Sequence, residues 1–256
     1  MTKSLKSRVR RLLPRSMRAH TILAGPLRGA RIYTSWHDYP GAILGTTERP
    51  LLDWFARNVL RGETWIDIGA HYGYTAIALC RLTGPAGRVF SFEPVLATAG
   101  CVARTRELNR LSQLRVAPLG LGADRVLETR RLPLVRGMAD STVARNIWEE
   151  PISLVSFDAI WPVLCEQNAA LHGVKIDVQG MELEVIEGMR RMLLSQHPKL
   201  IVEFHCGVDR SRAVELLASC GYTQPGAPID PAPSGSSYQD DKSYVFVNPC
   251  AAVSAS

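Results

Sequence analysis

The stretch Trp65-Ile66-Asp67-Ile68-Gly69-Ala70-His71-Tyr72-Gly73, followed by Thr75-Ala76-Ile77-Ala78-Leu79-Cys80, decides the fold. Residues 65–68 are a short apolar run carrying one acid, and flanking turn residues make it a buried strand. The segment after Gly73 has a helical pattern. A strand, a glycine-bearing turn and a helix in that order open a βαβ unit. Backbone amides at the start of such a helix can face an anion. Gly69 and Gly73 allow a tight turn and a close ligand approach, because a side chain at either position would occupy the ligand's space. A purely structural junction of this kind also favours glycine, so the turn alone names no ligand.

Outward from this unit, apolar runs and helical patterns alternate, which predicts a doubly wound α/β fold with a mostly parallel sheet. Strands are expected at 88–92, 114–119, 173–178 and 199–205, with helices at 96–111, 181–195 and 210–219, the last stopped by Gly221. Residues 125–158 read as a hairpin-like insertion, with alternating stretches at 125–134 and 152–157. A Pro-, Gly- and Ser-rich loop fills 224–237, and a last strand at 243–247 is expected to run antiparallel. The organisation implied is an arm and lead-in over 1–49, a catalytic domain over 50–249 and a tail over 250–256.

With 46% hydrophobic and 21% charged residues, the 256-residue chain has a globular composition. No run of about 18 apolar residues occurs, and the N-terminus lacks a secretory leader pattern, so a cytoplasmic protein is expected. Cys80, Cys101, Cys165, Cys206, Cys220 and Cys250 are scattered without a Cys-x-x-Cys pair. Neither a metal site nor a disulfide framework is expected. The net charge of +6 is uneven, since residues 1–31 hold nine of the 30 Lys and Arg and no acid. Lys3, Lys6, Arg8, Arg10 and Arg11 surround Leu5, Val9 and Leu12, a spacing that fits a short basic amphipathic helix. Weak contact with a membrane surface or an anionic substrate through residues 1–20 follows from it, as does the plainer alternative of a solvated arm. No nucleic-acid partner is expected.

Three groups of residues carry the chemistry. Asp67 and the turn Gly69, Ala70, His71 and Gly73 form the first, with Asp67 suited to orienting a ligand's ammonium group. Glu93 ends the second strand, where doubly wound folds place an acid that accepts hydrogen bonds from two ribose hydroxyls. A nicotinamide-dependent oxidoreductase uses the same device, but its phosphate loop requires G-x-G-x-x-G, and Asp67 stands where that fingerprint begins. The third group is Lys175-Ile176-Asp177-Val178-Gln179-Gly180-Met181-Glu182, at the carboxyl end of a strand, where open α/β sheets bind ligands. Lys175 reads as structural, and Glu182 fits either a helix N-terminus or a substrate contact.

Taken together, Asp67 to Gly73, Phe92-Glu93-Pro94 and Lys175 to Glu182 resemble the FkbM family of methyltransferases, whose pattern joins D-x-G-A-N-x-G, F-E-P and K-I-D-V-[EQ]-G in this order. Gly25 to Gly29 and Gly45 to Glu48 are similar to the family's lead-in. His71 replaces the usual Asn, and Ala123 stands where an acid often follows strand three, with Asp124 beside it. The resemblance implies a class I methyltransferase sheet closed by an antiparallel strand, S-adenosyl-L-methionine as cofactor, and O-methylation of a sugar, polyketide or similar small-molecule or glycan acceptor. The implied cofactor contacts are Asp67, Gly69, Ala70, His71, Gly73, Glu93, Asp124, Asp177 and Gln179. Tyr39, Glu48 and Glu182 are the acceptor-side candidates. An alcohol must lose a proton, and Asp177, Glu203 and His205, with His71 behind them, are candidate bases. His205 is favoured because an unperturbed imidazole titrates near neutral pH, with a core histidine as the open alternative. A non-catalytic cofactor-binding or membrane-associated module is the third class left open.

Overall fold

The structure is a computed structural model that describes residues 10, 12–142, 148–165, 169–230 and 238–249. Most of the basic arm and Cys250 lie outside the described residues. A seven-stranded sheet runs β12 (Ala227–Pro228), β13 (Lys242–Phe246), β11 (Lys199–Phe204), β10 (Gly173–Ile176), β3 (Thr64–Ile68), β4 (Arg88–Phe92), β5 (Leu114–Ala117). The five strands from β11 to β5 are parallel, and β13 returns antiparallel beside β11. This is the doubly wound, mostly parallel sheet with an antiparallel last strand that the sequence predicts.

All five residues of β3 are buried. A central parallel strand is covered on both faces, which is why 64–68 reads as a continuous run and not as an alternation. The helix Tyr74–Thr83 is buried on nearly every side. Besides the sheet, it packs into one apolar cluster with helix Arg49–Asn58 and with Ile22, Leu27 and Ile32 of the N-terminal segment. That segment forms a hairpin of β1 (Arg18–Thr21) and β2 (Arg31–Thr34). Asn109 ties the hairpin to the helix Leu96–Leu108, accepting from Arg31 N at 2.9 Å and donating to Arg31 O.

The helix expected over 181–195 is two helices, Glu182–Gly188 and Arg190–Gln196. Gly188 sits so close to the carbonyl of Gly122 that a Cβ would lie 1.9 Å from that oxygen. Just beyond it, Asp158 accepts hydrogen bonds from Arg191 N (2.8 Å) and Met192 N (3.0 Å), capping the second helix from a distant part of the chain. The expected insertion does pair on itself, with β7 (Glu128–Val135) antiparallel to β9 (Glu149–Val155). β8 (Met138–Ala139) adds to β7, and β6 (Gly120–Leu121) lies parallel to β9. The five described cysteines form no disulfide.

Candidate functional site

The carboxyl ends of β3, β4, β10 and β11 open into a cleft of about 210 Å³, lined by apolar side chains with a few converging polar groups, as small-molecule sites are. Strand order reverses between β3 and β10, the place where open α/β sheets receive ligands. The small sheet forms the facing wall with Leu121, Leu132, Met138, Ile152 and Leu154. Of the seven described non-glycine residues with positive φ, four line this cleft: Glu48, His71, Arg136 and Gln179. Such backbone costs free energy and concentrates at functional sites.

At one end stands Glu93, buried at 3% exposure. Its Oε2 accepts from His71 N at 2.9 Å and its Oε1 from Val95 N at 3.1 Å. An ionised carboxylate has about four lone-pair positions, so two remain for a donor pair in the cleft. Burial pushes the Glu93 carboxyl up to about 8, against the pull of the Val95 and His71 amides. His71 takes φ 49°, a conformation in which Asn, Asp and His are enriched. That shared tolerance explains how His fills a position where Asn is usual. Its ring meets Arg136 O at 3.1 Å and Tyr39 at a centroid distance of 4.8 Å, and burial lowers its pKa to about 4.

The centre is held by Lys175, 3% exposed, whose Nζ lies 3.0 Å from Asp177 Oδ2, 3.4 Å from Asp67 Oδ1 and 3.3 Å from Gly69 O. Burial would lower the Lys175 pKa, but Asp177 and Asp67 outweigh it and raise it. Asp67 is wholly buried and also accepts from Thr75 Oγ1 at 2.7 Å. It stands behind the cleft wall and supports the turn through Lys175 and Thr75. Gly69 has φ 77°, and a Cβ there would lie 1.8 Å from the carbonyl oxygen of Asp177. A side chain at 69 therefore strikes the neighbouring strand before it reaches the ligand's space.

The far end is polar. His205, 4% exposed, meets Glu182 Oε1 with Nδ1 at 2.6 Å, while Nε2 faces Gln179 (2.8 Å), Asp177 (3.6 Å) and Glu203 (3.7 Å). Burial alone would lower the His205 pKa, but the bond to Glu182 and the charge of Asp177 lift it to about 9. The imidazole is thus charged at neutral pH, unlike a free histidine. Burial, then Asp177 and Glu48, push Glu203 up to about 8.

Among the residues expected from sequence, Tyr39, Glu48, Gly69, Ala70, His71, Glu93, Asp177, Gln179 and Glu203 line the cleft. Asp67, Glu182 and His205 lie behind it, Gly73 packs toward Val102, and Asp124 is exposed. Sequence reasoning read Lys175 as structural, without its place in the cleft, and missed Arg136 and the apolar wall of the insertion. The signal for Lys175 was a lysine inside an apolar strand, which burial permits only when it is paired. Nothing local marked the insertion residues.

Residues 67–223 match the model of the methyltransferase FkbM domain, well over half of the chain. The chain belongs to the FkbM methyltransferase family. The family match disfavours the nicotinamide alternative, independently of the lack of a G-x-G-x-x-G loop in the sequence. Among solved structures, the chain is similar to an FkbM methyltransferase from Methylobacillus flagellatus KT, with 22% identity and a TM-score of 0.50. The match covers 72% of this chain and 43% of that one, so the chain spans less than half the length of that protein. Fibrillarin from Aeropyrum pernix, solved with bound S-adenosyl-L-methionine, is 12% identical over 90% of this chain and 87% of its own, with a TM-score of 0.48. The O-methyltransferase TomG from Streptomyces achromogenes, in complex with the same cofactor, is 13% identical over 78% of each chain, with a TM-score of 0.46. No curated protein matches in sequence. Among the described residues, no helix is long and apolar enough to cross a membrane.

The cleft fits the family's cofactor. Glu93 keeps two acceptor positions for a vicinal diol, the leucine- and isoleucine-lined wall suits a flat base, and Lys175, Asp177 and the Gly69 turn supply polar groups for an amino-acid end.

Proposed function

We propose that this methyltransferase O-methylates a hydroxyl of a small acceptor, of the sugar or polyketide type, in the cytoplasm. The observation that carries the reading is the division of one cleft into an apolar end with the Glu93 carboxylate and a polar end floored by Asp177 and Glu203. When bound, S-adenosyl-L-methionine supplies a methyl group on a sulfonium centre, and the oxygen–carbon bond forms as carbon–sulfur breaks. Glu93 holds the ribose hydroxyls, and Asp177 and Gln179 orient the amino-acid end near the polar floor. Tyr39 and Glu48, brought in by the lead-in, bound the acceptor's space. The acceptor proton passes to the group formed by Asp177, Glu203 and His205. Alignment of methyl and oxygen across the cleft supplies much of the rate.

The cofactor assignment has a pH signature. Hydroxyls donating to Glu93 favour its ionised form, so binding lowers a carboxyl that stands at about 8 in the free protein. Affinity for S-adenosyl-L-homocysteine is therefore full above that pH and falls by up to about tenfold per unit below it. Calorimetric titration between about pH 6 and pH 9, with Glu93→Gln as the reference, measures the slope. A slope that Glu93→Gln retains sinks the ribose assignment.

The basic arm serves contact with an anionic membrane surface or acceptor, on the strength of its charge asymmetry. Because Arg18–Thr21 already forms β1, the test removes residues 1–12 only. Vesicles containing anionic lipid should lose more than about tenfold in co-sedimentation, at roughly 1 kcal/mol per basic residue, while homocysteine-product affinity holds. Unchanged co-sedimentation overturns the idea.

A further inference from the structure

Asp177 and Glu203 line the polar floor, His205 stands behind them, and one ligand-type atom from each lies within 4.8 Å of the other two. The sequence separates them by up to 28 positions, without the spacing of a metal motif. Parallel pairing of β10 with β11 brings them together, with Asp177 and His205 just past the strand ends and Glu203 in the last residues of β11. Glu203 Oε1 and Asp177 Oδ1 are 3.7 and 3.6 Å from His205 Nε2.

In each residue the remaining polar atom is tied to a group outside the trio. Asp177 Oδ2 meets Lys175 Nζ, Ser243 Oγ donates to Glu203 Oε2 at 2.9 Å, and His205 Nδ1 meets Glu182 Oε1. Glu182 is wholly buried, so its carboxylate keeps a proton on Nδ1, and a cation arriving at Nε2 displaces the other proton of the charged ring. Outer partners of this kind, above all a carboxylate on the far nitrogen of a histidine, fix metal ligands in place. Ligands at about 2.1 Å from a six-coordinate divalent ion sit roughly 3 Å apart on one face. Closing the observed spacing requires shifts of about 1 Å, within side-chain adjustment. The Gln179 amide, 2.8 Å from His205 Nε2, then rotates to present its oxygen or gives way.

We propose that Asp177, Glu203 and His205 form a facial divalent-cation site that takes Mn²⁺ and holds an acceptor through two adjacent oxygens. Two carboxylates favour a hard ion, and the imidazole favours a transition metal over Mg²⁺. Three ligands on one face leave the cleft side for an acceptor such as a vicinal diol. A hydroxyl bound there would be a stronger acid: its proton would pass to solvent, the trio then acting through the ion in place of taking the proton itself, while the oxygen's electron pair attacks the methyl carbon and the carbon–sulfur pair stays on sulfur. The acceptor half of this inference rests on the methyl-transfer reading above, whereas the cation site does not.

The full chain, stripped with a chelator, is titrated with Mn²⁺ while free ion is followed by electron paramagnetic resonance. One ion per chain is expected, with Glu203→Gln and His205→Gln each weakening it more than about tenfold and Ser243→Ala by roughly tenfold through the outer partner. S-adenosyl-L-homocysteine affinity is measured on the same samples and should hold in the Glu203 and His205 variants. Catechol, which offers two adjacent oxygens, should displace water from bound Mn²⁺ and lower water-proton relaxivity, and phenol should not. No binding tighter than about 1 mM, the weak end of functional divalent sites, or binding indifferent to both trio variants, overturns the site. Equal effects of catechol and phenol overturn the acceptor class. Mn²⁺ binding at the trio without any homocysteine-product binding would sink the methyl-transfer reading and leave the cation site standing.

Discussion

Glu93→Ala is expected to weaken S-adenosyl-L-homocysteine binding about a hundredfold, because two charge-assisted hydrogen bonds to the ribose are lost at roughly 1.5–3 kcal/mol each, less partial replacement by water. Truncation also strips His71 N and Val95 N of their acceptors. The melting temperature should therefore fall as well, and stability alone does not separate a ligand role from a structural one. Glu93→Gln does. The amide keeps one acceptor oxygen without the charge, so affinity should drop by about tenfold while most of the thermal stability returns. Calorimetry and a melting curve on both variants provide the comparison. If Glu93→Ala binds within about twofold of wild type, far below the value of a single hydrogen bond to a charged group, the cofactor lies elsewhere.

Lys175→Met should destabilise the protein by about 3–5 kcal/mol, the cost of leaving a buried charge without its partner. Asp67 has no exposed surface, and its Oδ1 has no hydrogen bond apart from the ion pair with Lys175. For a chain of this length such a loss lowers the melting temperature by roughly 10 °C. The pairing makes a second outcome testable. Asp67→Asn in the Lys175→Met background removes the stranded charge while its amide oxygen still accepts from Thr75, so part of the stability should come back. Denaturant midpoints for the single and double variants give the coupling. A loss under about 1 kcal/mol for Lys175→Met, the range of exposed pairs, would show that water already screens Asp67.

The order of strands and helices was legible in the chain because burial leaves a local mark. Both faces of β3 are covered, so 65–68 is apolar throughout except for Asp67, and the glycine turn that follows announces the βαβ unit. The same legibility extends to Glu93, which ends its strand beside Pro94, and to Asp177, which ends another. The break at Gly188–Met189 left no comparable mark. It depends on the carbonyl of Gly122 and on the carboxylate of Asp158, which reach residues 188–192 only after the chain has folded. The apolar cleft wall behaves likewise, since nothing in residues 121–154 marks which of their side chains face the cleft.

Alternation, turn chemistry and three ordered motifs thus determined, from the sequence alone, a doubly wound sheet and the end of it that meets a ligand. Tertiary structure decided the state of each group there. Glu182 was open to a substrate contact on sequence, yet it is wholly buried against His205, and that contact makes an ordinary histidine a charged one. Lys175 reads as structural, yet it neutralises two carboxylates from different strands and reaches the cleft. The physical reason is range. Backbone propensity and hydrophobic period act over a few residues, whereas ionisation depends on desolvation and on charges within several ångströms in space, and β3, β10 and β11 bring those charges together from more than a hundred positions apart.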